Sequence, residues 1–180
     1  MSILHKYLVV TSNPKKHPTQ MTIYKSLHDR LKNQHETIGE LISNINNTRL
    51  TFRPSQNKWS IKDNIAHLAT YQTVFTDRIN TILKKDSPNF DRYIMENDPD
   101  FETWRELKID CLLQKMNSDR HEIFNLITNL TDQNLSRIGQ HSKYGNLTII
   151  KWTEFFLLHE AHHIFTIFQL ANDTEIRNNI

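Results

Sequence analysis

The chain is short of the residues that most fold classes and many chemistries depend on. It has one cysteine, Cys111, in 180 residues. That excludes an internal disulfide framework and a multi-cysteine zinc site, and it suits a reducing compartment. It has three glycines and five prolines. Rossmann folds, phosphate-binding loops and all-β sandwiches spend both residues on turns, so all three are disfavoured. Charge of one sign is also lacking. Lys plus Arg number 22 against 20 Asp plus Glu, a formal net charge of +2, too little for a chain that coats nucleic acid or an anionic membrane. No run approaches the roughly 18 apolar residues of a spanning helix. The opening Met1 to Val10 has neither a long apolar region nor a small-residue cleavage site after it. No secretory signal is expected, and the cytoplasm is the expected location.

What remains is helical patterning. Residues 1–21, with Pro14, Pro18, Lys15 and Lys16, read as an N-terminal arm, and 22–175 as one domain of ordinary size. Within it the spacing predicts four helices. The first runs from Thr22 to about Ile45, with Leu27, Leu31, Ile38, Leu41 and Ile42 on its apolar side. The second opens at Ser60, where Ser60-Ile61-Lys62-Asp63 resembles a capping box, and ends near Lys85. The third spans about Phe101 to Asn129, with Trp104, Leu107, Cys111, Met116, Ile123, Leu126 and Ile127 as core candidates and Cys111 as an inert core thiol. The fourth, capped by Thr148, runs from Ile149 to about Ala171. Asn89 to Asp100 and Thr131 to Asn146 read as polar connections. Long helices with modest loops imply an all-α, antiparallel four-helix bundle.

The chemistry concentrates in the last helix. At about 100° per residue, His159 and His163 lie within the stripe formed by Trp152, Phe156, Ile167 and Leu170. Two imidazoles one turn apart can converge on one cation, and without a partner they would lose hydration in an apolar seam. The plainer reading is two hydrogen-bonded histidines. His159-Glu160-Ala161-His162-His163 also satisfies the H-E-x-x-H pattern of zinc proteases. The downstream ligand pattern of those enzymes is absent from the 17 residues after His163, so a protease is not expected. Glu160 and His162 project about 80° to either side of the stripe. They are the candidate proton carriers, against the alternative of ordinary surface polar residues. On the second helix His67 lies beside the main stripe, in line with Asn64, Tyr71, Val74 and Arg78. A residue on such a flank can face the crevice between neighbouring helices. Taken alone it reads as a satisfied interhelical histidine, and spacing does not link it to His159.

Lys58-Trp59-Ser60-Ile61 and His67-Leu68, with His159-x-x-x-His163 starting 92 residues after His67, resemble the DinB-like superfamily. The similarity extends from about Thr22 to Ala171. It implies a DinB-like four-helix bundle with His67, His159 and His163 as a metal triad. It also implies a metal-dependent enzyme, a hydrolase or a transferase using a low-molecular-weight thiol such as bacillithiol, mycothiol or glutathione. A homodimer is implied as well. Three neutral histidines leave a divalent metal with an open position, the pattern of a catalytic site. Zinc or nickel suits an all-nitrogen set, and such an ion would activate water or a thiol towards a small-molecule substrate. Asn64, Tyr71, Glu160 and His162 are candidates to orient the imidazoles. Trp59 and Trp152 read as packing residues near helix ends. The competing expectation is a non-catalytic helical module that binds metal or a partner through the same histidines.

Overall fold

The computed structural model describes residues 23–98 and 101–173, so the N-terminal arm and the last residues of the expected domain lie outside the described part. Helices carry the fold. Two of 24 residues each, α4 (Ile61–Lys84) and α8 (Ile149–Asn172), form its spine. They pack with α6 (Ile109–Thr128) and with a kinked rod made of α1 (Lys25–Asn33) and α2 (Glu36–Ile42). Short helices α3 (Asn47–Thr51), α5 (Phe101–Glu106) and α7 (Asp132–Leu135) fill the connections. The expected starts of α4 and α8 are present. The Ser60 hydroxyl accepts from the Asp63 amide at 3.0 Å while the Asp63 carboxylate accepts from the Ser60 amide at 2.9 Å, satisfying two otherwise orphaned donors. Thr148 caps α8 through the Lys151 amide at 3.3 Å.

The first and third expected helices are each broken. At Gln34-His35 the ladder tightens to i→i−3 bonds, as between the Ile38 amide and the His35 carbonyl at 3.1 Å. The buried positions Leu27, Leu31, Ile38 and Ile42 nevertheless stay on one side. The second break, at Leu107-Lys108, rotates α6 relative to α5. The inward face of α6 is Leu112, Met116, Arg120, Ile123 and Ile127. Cys111 is exposed, which corrects its reading as a core thiol, and Leu107 is exposed as well.

The buried residues form two apolar clusters, one at each end of the bundle. The starts of α4 and α6 join the ends of α2 and α8 in the first, through Ile65, Leu112, Ile42 and Ile167. The ends of α4 and α6 join the starts of α1 and α8 in the second, through Ile79, Ile127, Leu27 and Trp152. The four rods therefore run up, down, down, up, and α4 and α6 are parallel neighbours. Parallel neighbours need a connection that returns along the whole bundle. Residues 85–98 supply it, passing from Phe90 in the second cluster to Met95 in the first. This strap closes one side of the crevice between α4 and α8.

A small sheet, not expected from the polar patterning, covers the second end. β1 (Asn89–Phe90) pairs in parallel with β2 (Ile138–His141), which forms a hairpin with β3 (Gly145–Thr148). Gly145 takes a positive φ of 70° at the hairpin turn, a conformation that favours glycine. A Cβ on Gly139 would lie 2.7 Å from an Ile82 methyl and 2.9 Å from the Phe90 ring, so glycine lets β2 press against the end of α4. The Trp152 indole fixes the same point by donating to the Gly139 carbonyl at 3.3 Å.

Candidate metal centre

α4 presents Asn64, His67, Tyr71 and Arg78 along its flank, facing the crevice beneath the strap. α8 presents His159 and His163 from the opposite wall. The flank position of His67 thus points where the sequence suggested such a position can point. Nε2 of His67 and Nε2 of His159 are 3.0 Å apart. One ring nitrogen from each of His67, His159 and His163 lies within 4.8 Å of the others. The ring centroids are separated by 4.9, 4.6 and 4.7 Å. His67 and His163 are buried and His159 is half-buried.

Their surroundings hold all three rings neutral. Burial pushes the pKa of His67 down to about 2, with His163 and His159 adding repulsion. His163 falls to about 3 through burial, then His159 and His162. His159 falls to about 4 through burial, then His162 and Arg78. Neutral imidazoles have a lone pair to offer. For His163 the tautomer is set by a relay that starts at the helix cap. The Asn64 side-chain amide donates to the Ser60 carbonyl at 2.8 Å, which fixes its orientation. Its oxygen then accepts from Nδ1 of His163 at 2.8 Å, leaving Nε2 as the lone-pair nitrogen. Aromatic rings back each imidazole. Trp59 stacks on His163 with centroids 5.7 Å apart, Tyr93 lies parallel to His67 at 6.0 Å, and Tyr71 lies 4.2 Å from His159. Trp59 is a packing residue, as its position suggested, and what it packs on is this cluster.

These residues fit a divalent ion. Nδ1 of His67 and of His159 is buried without a hydrogen-bond partner among the described residues. The two Nε2 atoms face each other, and a hydrogen bond between them uses only one of them as an acceptor, whereas an ion takes a lone pair from each. Their 3.0 Å separation is less than twice a metal–nitrogen bond of 2.0–2.1 Å, so one ion reaches both.

His162 is exposed on α8 and lines the same cavity, its ring 5.1 Å from that of His163. Glu160 does not face it. The Glu160 carboxylate is buried on the other side of α8, where it pairs with the Arg120 guanidinium and accepts from the Gln34 amide at 2.9 Å. A carboxylate held in that way is not available to carry protons at the histidines, which corrects its reading as a proton carrier. The cavity has a volume of about 800 Å³, enough for a small molecule. Tyr93 and Arg92 reach it from the strap, and His141 from β2. No local pattern marks them, because the return path of the strap brings them there. Arg78 was legible as a member of the His67 line and lacked an assigned role.

The sequence profile of the DinB superfamily matches residues 30–167. A protein of Oceanobacillus iheyensis, provisionally named a metal-dependent hydrolase, is 25% identical over 154 residues, covering 82% of this chain and 86% of the relative. Among solved structures, YfiT of Bacillus subtilis is described as a probable metal-dependent hydrolase with an unusual four-helix bundle topology. It superposes with a TM-score of 0.68 at 19% identity, covering 86% of this chain and 91% of that one. The four-helix bundle protein TT2238 gives 0.58 at 15% identity, over 79% and 95% of the two chains. A DinB-like protein of Bacillus subtilis gives 0.54 at 15% identity, over 86% and 92%.

Proposed function

The chain belongs to the DinB superfamily, and on that premise we propose that it is a metal-dependent hydrolase of small molecules, with His67, His159 and His163 holding one divalent ion. The observation that carries this reading is the convergence of three neutral imidazoles at the wall of one cavity. A divalent ion bound there acts as a Lewis acid, lowering the pKa of a nucleophile such as water or a thiol and polarising the substrate. The protein does the rest. Asn64 holds His163 in the ligating tautomer, and Trp59 and Tyr93 exclude water from the inner faces of the rings. His162 takes up or returns a proton at the cavity wall, because its ring borders the reacting centre while remaining exposed. Zinc or nickel suits the all-nitrogen donor set.

The test is metal analysis of the purified full chain beside His67→Ala and His163→Ala. About one equivalent of a transition metal is expected in the native protein, and less than about a tenth of that in each variant, because two remaining ligands bind weakly. Equal metal content in all three proteins, or none retained or restored in any, overturns the reading. Ester and amide hydrolysis, assayed with and without added bacillithiol, mycothiol or glutathione, separates hydrolase from thiol transferase. A homodimer belongs to the same proposal. Leu158, Phe165 and Phe168 on α8 are 62%, 58% and 47% exposed and supply an apolar face for a second copy. Sedimentation velocity of the full chain decides it, a monomer at all concentrations excluding the pair. A cytoplasmic setting is also part of the proposal, supported by the single cysteine of the sequence. Among the described residues no helix is long and apolar enough to cross a membrane.

A further inference from the structure

Arg78 is 8% exposed, and among the described residues its charge has no counter-charge. Among the described residues no carboxylate oxygen lies within ion-pair distance of its guanidinium. Arg30, Arg53, Arg105, Arg120 and Arg137, by contrast, meet Glu154, Asp63, Glu160 or Asp86. What holds Arg78 is weaker and neutral. Nη2 donates to the Asp91 carbonyl at 2.7 Å, and Nη1 lies 3.5 Å from the Tyr71 hydroxyl, the outer limit of a hydrogen bond. Its central carbon lies over the rings of Trp152 and Phe90, 5.4 and 5.6 Å from their centroids. A guanidinium has five N–H donors, and the contacts to Asp91 and Tyr71 leave several of them for a ligand. A buried cation of this kind is expensive unless an anion meets it.

The cavity agrees in sign. Lys58, Arg78 and Arg92 line it, and among the described residues no aspartate or glutamate does. A cleft lined by one sign of charge raises the local concentration of the opposite one. Position adds a length. Arg78 lies eleven residues beyond His67 on α4, about 16 Å along the axis at 1.5 Å per residue, and its side chain leans back towards Tyr71. Tyr71 bridges the two ends, with its ring on His159 and its hydroxyl by Arg78. The Tyr71 hydroxyl has a proton of its own to donate to a group placed beside Arg78.

We infer that the cavity binds an elongated anionic small molecule, its carboxylate or phosphate on Arg78 and Tyr71 and its reacting group at the three histidines. This substrate class rests on the reading of the cavity as the substrate site of a metal-dependent enzyme, but the anion subsite itself can be tested without metal.

The probes are benzoate, phenyl phosphate and the neutral analogue benzamide, titrated calorimetrically into the full chain as purified and after chelator treatment. In chelated native protein at least one of the two anions binds about tenfold or more tighter than benzamide, the worth of a hydrogen bond to a charged group. Which of them does so identifies carboxylate or phosphate as the preferred group. Arg78→Met removes that preference, and Arg78→Lys, which keeps charge without the planar fork, retains only part of it. Benzamide binding as tightly as both anions overturns the inference, as does an unchanged anion preference in Arg78→Met. Should Arg78→Met fail to fold, the native ratio and Arg78→Lys still decide. Metal content read on the same samples keeps the two proposals apart. Full metal occupancy without anion preference sinks this inference alone, and anion preference in a chain that never holds metal sinks the other alone.

Discussion

Two polar clusters meet α8 at adjacent residues, Glu160 and His159, and differ in how many of their hydrogen-bonding atoms have partners. The Glu160 cluster is closed. Arg120 reaches Glu160, the Gln72 side chain at 3.2 Å and the Leu31 carbonyl at 3.4 Å, and its guanidinium lies 4.8 Å from the Phe156 ring. Gln34 completes it by donating to Glu160 and to the Leu157 carbonyl, each at 2.9 Å. The His159 cluster is open, with two buried nitrogens unpartnered among the described residues and a cavity at its edge. Both sit where the two apolar clusters of the bundle meet. A turn of about 100° between consecutive residues sends one side chain into a satisfied network and the other to a wall of the cavity. A closed polar network specifies how helices pack, whereas an open one at a cavity wall has ring nitrogens to offer a ligand.

Acid gives the largest expected effect, and it strikes the three rings of the open cluster together with His35 beside the closed one. His67, His163 and His159 have pKa values pushed by burial to about 2, 3 and 4, and His35, buried near Arg120, to about 4. The unfolded chain titrates near 6.5 and so binds more protons below that pH. Stability is fully present above about pH 6.5 and is lost as pH falls towards 4, at about 1.4 kcal/mol per unit for each such group. The summed effect is a sizeable share of the stability of an ordinary domain, about 5–15 kcal/mol. The metal-free protein is therefore expected to unfold between pH 6.5 and 4 when followed by circular dichroism, and one equivalent of zinc should move the midpoint to lower pH. Stability that stayed level from pH 6.5 down to 4 in the metal-free protein would show that the histidines are not buried as neutral groups.

The closed cluster breaks from the carboxylate side. Glu160→Ala strands the Arg120 charge, and removing one partner of a buried pair is expected to destabilise by about 3–5 kcal/mol. Urea unfolding at neutral pH measures it, while metal content should stay at the native level. Glu160→Gln, which keeps the shape and an acceptor, should lose less. Loss of metal without loss of stability in Glu160→Ala would reverse the roles of the two clusters.

Legibility in the sequence divides along the same line. α4 was readable because Ser60 and Asp63 make a capping box and the apolar stripe runs unbroken behind it. α8 was readable from its length and apolarity, and His159 and His163 from their spacing. The flank of His67 was visible as a line, but its meeting with α8 came from family resemblance. The direction of α6 was hidden, because nothing in 85–100 says whether that connection turns back or runs the length of the bundle. Neither helix break carries glycine or proline, so the register beyond Leu107 slipped and Cys111 was assigned to the wrong side. The hairpin strands have four residues each, too few for alternation to stand out. Glu160 was misread for another reason. Helical angles say that it leaves the histidine stripe, but its partner Arg120, in the middle of the apolar stripe of α6, is recognisable only once the helices are packed.

The finest contrast between the clusters concerns Asn64, which gives the open one its single satisfied ring. Its amide is pinned by the Ser60 carbonyl at the cap, so its oxygen has a fixed direction, and that direction sets which nitrogen of His163 keeps the lone pair. Removing such an orienting partner typically weakens metal binding about 10–100-fold while the ligands remain. Asn64→Ala should therefore still bind one equivalent, with an affinity lower by that factor in a chelator competition. The metal-free protein should lose only about 1 kcal/mol, since alanine suits a helix interior and the loss is of hydrogen bonds alone. Asn64→Asp restores an acceptor for His163 but gives up the amide donor to Ser60, so it should recover affinity without recovering all of the stability. Were Asn64→Ala to hold metal as tightly as the native chain while His163→Ala held none, the relay from the helix cap would be irrelevant to the tautomer. An ion bound there would then itself select the lone pair of His163, as it would for His67 and His159, whose Nδ1 atoms have no hydrogen-bond partner among the described residues.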